Sequence, residues 1–219
     1  MEEPKPAVRE GILRRGFILI RTHWRAWLVA NAAYFAVLIV GLIVATFNRE
    51  IQEKMMDAIG QAFGEGGPLS AVTEAYTTGQ ALRAIVLTFV VNLIVGTFAS
   101  ITLPSLVVPF SGWLVALYRA LLWGFIFAPS LNEALSLRGI FYGLLVAILI
   151  LLEGEAYVLG MLAAWLQGRE FVFYKRQGHA GPGRGYVAGL KQTALMYIPI
   201  VVVLIVAAIY EVIIALVLT

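Results

Sequence analysis

Four ionisable residues, Arg119, Glu153, Glu155 and Glu211, stand inside otherwise apolar stretches, with Asn92 as a neutral polar companion. A charge at the centre of a bilayer costs about 2.5–3.5 kcal/mol on insertion scales, so such residues face one another or water rather than lipid. Arg119 follows Ala116 by three positions, and Glu153 precedes Ala156 by three, so each projects beside a row of small residues on its own helix. That geometry predicts an ion pair between Arg119 and Glu153, or alternatively Glu155. One arginine cannot neutralise three carboxylates, so at least one glutamate is expected to carry its proton or to reach water.

Two roles compete for this cluster. It is either an ion or proton path, or small-substrate site, or else a buried polar lock that fixes how the helices pack. With one basic partner among the four, the lock is the simpler expectation. Other chemistry is thin. His23 and His179 are far apart in sequence and cysteine is absent, so no metal site, thiol nucleophile or disulfide is expected. No Gly-x-Ser-x-Gly or His-Glu-x-x-His pattern occurs, and neither an enzyme nor a cofactor is expected.

The elements that must position these residues follow from hydropathy. No charged residue occurs between Ala84 and Tyr118. A slab of about 30 Å needs about 20 apolar residues as helix, so this stretch holds two spans. Leu103-Pro104 and Val108-Pro109 are the expected break between them. The chain is 61% hydrophobic and 13% charged, against about 25% charged in soluble domains. An all-α polytopic bundle is predicted, with spans at about 26–47, 84–102, 106–128, 139–167 and 192–218, preceded by a basic amphipathic segment over 1–25.

The net charge of +3 has a simpler explanation than nucleic-acid binding. Lys5, Arg9, Arg14, Arg15, Arg21 and Arg25 precede the first span, and Arg169, Lys175, Arg176, Arg184 and Lys191 lie between the fourth and fifth. The segment after the first span carries Glu50, Glu53, Asp57, Glu65 and Glu74. Basic flanks stay cytoplasmic, which predicts a protein of the cell membrane with its N-terminus inside, 48–83 outside and its C-terminus outside. The first span is too long for a signal-peptide core and is expected to stay as an anchor.

Leu13, Phe17, Ile20, Trp24 and Trp27 share one helical face, which describes either an interfacial helix under the inner leaflet or an extension of the first span. Ile51, Met55, Ile59 and Phe63 repeat every four residues, as in a helix resting on the outer surface or capping the bundle, ended by Gly64-Glu65-Gly66-Gly67-Pro68. The glycine-rich stretch within 168–189 is expected to be a flexible linker. Gly112, Ala116, Ala120 and Gly124 in the third span match Ala156, Gly160 and Ala164 in the fourth at four-residue spacing. Small residues let backbones approach closely in lipid, so the two rows are expected to face each other, with a second copy of the chain as the rival partner.

Phe89-x-x-Asn92 with Gly96, the turn at Gly112, Leu152-Glu153-Gly154-Glu155-Ala156-Tyr157 with Gly160, and Ala207-Ala208-Ile209-Tyr210-Glu211 occur in this order. In that order and spacing, the chain resembles the stage II sporulation protein M family over most of its length after residue 84. It departs from the family at Ser111-Gly112, where Asn-Gly is common, and in lacking a Pro-His-Gly element before the fourth-span glutamate. The resemblance implies a non-enzymatic membrane scaffold or assembly factor with membrane or envelope protein partners, in a family linked to a peptidoglycan-remodelling complex. An ion or small-solute transporter component is the alternative.

Overall fold

The computed structural model describes residues 11–129 and 136–218. Residues 1–10 of the basic segment, with Lys5 and Arg9, lie outside the described residues. Among those described the chain is helical, in the order α1 (Ile12–Thr22), α2 (Trp24–Phe47), α3 (Arg49–Phe63), α4 (Ser70–Thr77), α5 (Ala81–Val107), α6 (Ser111–Ile126), α7 (Leu137–Val172) and α8 (Pro182–Leu218). Four of these, α2, α5, α7 and α8, are long and apolar enough to cross a membrane. The fifth expected span, α6, is apolar but has 16 residues, about 24 Å of rise. By the same rise α7, with 36 residues, extends about 54 Å.

Consecutive long helices run in alternate directions between two ends. At one end His23 packs edge-on against Trp165, and the Tyr186 hydroxyl donates to the Leu106 carbonyl at 3.1 Å. At the other, Gln52 of α3 donates to the carbonyls of Ile126 and Ala128 at 3.1 and 2.7 Å. Those carbonyls at the end of α6 have no partner further along the helix, so α3 caps both α6 and that end of the bundle.

Pro104 does not break the chain. The central part of α5, Val91–Thr102, is a π-helix, and a short α-helical turn, Leu103–Val107, carries the chain through the proline. A proline removes one donor and crowds the preceding turn. The wide turns upstream, where the Thr97 hydroxyl donates to the Asn92 carbonyl at 3.1 Å, accommodate it. The reversal comes at Val108–Phe110, where Phe110 adopts a left-handed φ of 68°. An aromatic residue there carries strain, and its ring is seated against the bare backbone of Gly168.

Helix α1 is separate from α2, with a bend at His23, and it docks on α8. Pro199 in α8 has no amide, so the Leu195 carbonyl one turn earlier loses its helical donor. Gly16 fits into that notch: a Cβ there would lie 2.6 Å from the Leu195 oxygen and 2.9 Å from Pro199 Cδ. The amphipathic segment is thus part of the bundle, with Leu19 and Ile20 against a core of Leu162, Leu166, Met196 and Ile200.

The flexible linker is also corrected. Helix α7 runs to Val172 and α8 starts at Pro182, so Gly183, Gly185 and Gly189 are helical. Gly185 packs on the Glu170 carbonyl and Gly189 on Gln167, which lets the two longest helices close tightly near their connection.

The two small-residue rows meet at Gly112 and Ala164 and then diverge. Gly124 packs instead on α2, where Gly41 lies backbone to backbone against it. Ala116 and Ala120 share a core with Tyr34, Leu38 and Tyr157. Gly160 faces Thr97 and Ile101 of α5, while Ala156 turns toward Met196, Ile200 and Leu204. One helix has several faces, and the row in α7 serves two neighbours.

Candidate functional site

Helices α5, α6, α7 and α8 bring Asn92, Arg119, Glu153 and Glu211 to the wall of one cavity of about 350 Å³. Apart from Thr88 its remaining wall is apolar, with Trp123 and Phe127 on one side and Phe63, Leu69 and Val72 from the capping segment on another. Glu153 is 3% exposed and sits near the middle of α7. The Asn92 amide donates to Glu153 Oε1 at 2.8 Å, and the Tyr157 hydroxyl donates to Asn92 Oδ1 at 2.9 Å. This fixes the orientation of the Asn92 side chain, because its nitrogen and oxygen each have one matching partner.

Glu153 and Glu211 face the same cavity from α7 and α8, close enough to influence each other electrostatically, and Tyr76 of α4 stands near Glu211. Two like charges on one wall away from bulk water repel each other, so one proton shared between the two carboxyls is the arrangement that costs least. Tyr76 also lies 3.2 Å from the Thr88 hydroxyl. Hydrogen bonds join Glu153, Asn92 and Tyr157, with Glu211 beside them on the cavity wall.

Arg119 does not form the expected ion pair. Among the described residues no carboxylate lies within ion-pair distance of it. Its guanidinium carbon stands 4.8 Å over the Tyr157 ring, and Nη1 donates to Ser100 Oγ at 3.3 Å. Its Nε is buried without a hydrogen-bond partner. The arginine is held by an aromatic face and a hydroxyl, which stabilise the cation without neutralising it.

Glu155 is not part of this site. Trp27 Nε1 donates to it at 2.6 Å between α2 and α7. Two positions along a helix turn the side chain by about 200°, so Glu153 and Glu155 cannot share a face. Tyr157 was missed from the sequence, although it lies one turn after Glu153 and on the same face. Tyr76 gave no signal, because it comes from outside the spans.

A second polar group closes the opposite end of the bundle. Glu170 accepts from Arg169 at 2.9 Å and lies 2.6 Å from His179 Nε2. Arg169 also stacks over Trp165 at 5.0 Å and reaches His23 at 3.4 Å. Burial and the Arg169 charge lower the His23 pKa, against a smaller opposing pull from Glu170. Among the described residues no three histidine, aspartate or glutamate side chains converge as metal ligands would.

Fold and site together define a polytopic helical membrane protein with a mainly apolar cavity in its bundle that carries Asn92, Arg119, Glu153 and Glu211 on its wall. No protein-family model, curated protein or solved structure matches this chain.

Proposed function

We propose that this chain is a proton-linked carrier, or carrier component, for a small solute that binds within the bundle. The observation that supports it most is that Glu153 and Glu211, from two different helices, share the wall of one cavity with an Arg119 that forms no ion pair among the described residues. A structural lock pairs its charges and fills its space. Here the two carboxyls share a wall with each other, the cation has no carboxylate at ion-pair distance among the described residues, and a cavity of about 350 Å³ opens beside all three. Such a pair can take up and release one proton as a ligand enters or leaves.

The end that carries Arg169, Lys175, Arg176 and Arg184 faces the cytoplasm in this proposal, and the capping helix α3 faces outward. Reporter fusions at Gly66 and Gly181 should then respond from opposite sides, and a response from the same side rejects the orientation. The carrier itself is tested by reconstituting the full chain in liposomes, imposing a pH gradient with a panel of small anionic, cationic and neutral solutes outside, and following a trapped pH dye. Proton flux that E153Q and E211Q each abolish is the expected result. Flux absent from the native chain, or unchanged in both variants, rejects the carrier.

An assembly factor, as the resemblance to stage II sporulation protein M implies, is the second reading. The specific observation in its favour is that Asn92, Glu153 and Glu211, which carry part of that resemblance, are brought together from three helices, with Asn92 bonded to Glu153. They would then serve as a lock, and partner proteins of the membrane or envelope would copurify with a chain that shows no flux.

A further inference from the structure

Resting on the carrier proposal, we infer that the solute is a small monocarboxylate with an apolar body, taken up together with one proton. The argument begins with Arg119. A guanidinium offers five N–H donors in a planar fork that matches a carboxylate. One of them is spent on Ser100, the face is covered by Tyr157, and Nε is buried with no acceptor. Nε is closed off from the cavity, so a ligand there meets the remaining Nη donors of a cation that has no carboxylate within ion-pair distance among the described residues. The ligand that satisfies this arginine is an anion.

The acidic pair explains how an anion enters beside two glutamates. Sharing one proton, Glu153 and Glu211 carry one negative charge, which balances Arg119 across the cavity. A monoanion arriving alone would leave the site with a net negative charge in a low-dielectric bundle. Arriving with a proton that goes to the glutamate pair, it leaves the site neutral again. The titratable and charged groups facing this pair from the surrounding helices are Tyr34, Tyr76, Arg119 and Tyr157. Among them Arg119 supplies the only positive charge. A cation would instead have to displace the shared proton while sitting beside that arginine, which opposes it.

The rest of the wall sets the body of the ligand. Trp123, Phe127 and Phe63 line the same cavity, with Trp123 one turn along α6 from Arg119. An anionic head against Arg119 thus places the remainder of the molecule on aromatic surface, which suits an apolar group of a few carbons or one ring.

Benzoate, benzylamine and benzamide have one shape and three head groups, and they separate the possibilities by calorimetry on the full chain purified in detergent. Benzoate is expected to bind, with R119Q weakening it tenfold or more and R119K intermediate, because lysine keeps the charge and loses the fork. Repeating the titration in buffers of different ionisation enthalpy should show about one proton taken up per benzoate, and none in E211Q. Benzylamine or benzamide binding as tightly as benzoate to the native chain overturns the inference, whether or not R119Q folds. So does benzoate binding that R119Q leaves unchanged, or binding without proton uptake. Glutamate-dependent proton flux with no benzoate binding removes this ligand class and leaves the carrier standing. Benzoate binding without flux does the reverse.

Discussion

Alanine at Gly124 tests the closest seam in the bundle. A Cβ built there would stand 2.7 Å from Gly41 Cα and 2.7 Å from the Leu42 nitrogen, with the Leu38 carbonyl nearer still. All three are backbone atoms of α2, so no rotamer change relieves the contact. Carbon atoms rest at about 3.5–4.0 Å, and α2 and α6 must therefore separate by about 1 Å. Overpacking of this kind costs about 1–3 kcal/mol, and the backbone nature of the clash puts Gly124→Ala at the upper end. Gly160→Ala is the matched control, because its nearest neighbour is the Thr97 methyl at 3.3 Å, a side-chain atom that can give way. Its cost should stay below about 1 kcal/mol by the same reasoning. Gly143→Ala, with nothing within 4 Å, should cost nothing. Unfolding in mixed micelles, followed by tryptophan fluorescence, ranks the three. Equal losses at Gly124 and Gly160, or a larger loss at Gly143, would refute the assignment of α2 and α6 as the tight pair.

Three further outcomes follow from contacts elsewhere. Trp27→Phe keeps the ring packing but strands the Glu155 carboxyl, so it should cost about 1–3 kcal/mol in the same unfolding assay, with little extra loss when Glu155→Leu is added. His23 has a pKa held below its ordinary 6.5, so the unfolded chain binds a proton there more readily than the folded one. Its contribution to stability is therefore complete above about pH 6.5 and falls as the pH drops through that value toward the folded pKa. His23→Asn should flatten this part of the stability profile, and an unchanged slope would exclude His23 as its source. Gly16→Val should detach α1 from the Pro199 notch, seen as faster proteolysis near Arg14 and Arg15 while the rest of the bundle stays protected.

Hydropathy alone located the long helices, because a run such as Ala84 to Tyr118 has no soluble alternative. It could not say that Pro104 would be carried through, since that depends on a π-helical stretch whose hydrogen bonds span five residues and leave no periodic mark. The polar cluster was legible by the cost of its members in lipid. Its internal wiring was not, because the choice between Glu153 and Glu155 rests on helix phase, and the displacement of Arg119 toward Ser100 rests on how α5 and α6 cross. The small-residue rows were visible, but their partners were not. A row such as Gly112 to Gly124 says that something approaches closely, and Gly41, a single glycine in α2, carried no pattern that would name it as the answer. The linker failed for the opposite reason: glycines that permit flexibility also permit contact, and Gly185 and Gly189 are used for contact.

The short rise of α6 has a consequence for the lipid around it. Leu114 and Tyr118 are 73% and 61% exposed, so this helix forms part of the outer face of the bundle although it rises only about 24 Å. Its terminal carbonyls are reached by Gln52 and, at 3.5 Å, by Arg49, both from a helix whose other face is charged. Polar groups are therefore drawn closer to the midplane along this flank than along α7. Acyl chains that touch α6 are expected to shorten or tilt to match, which would pinch the annulus on that side. A bilayer of shorter chains should accordingly relax that flank, and the protein should be most stable where the membrane is thin.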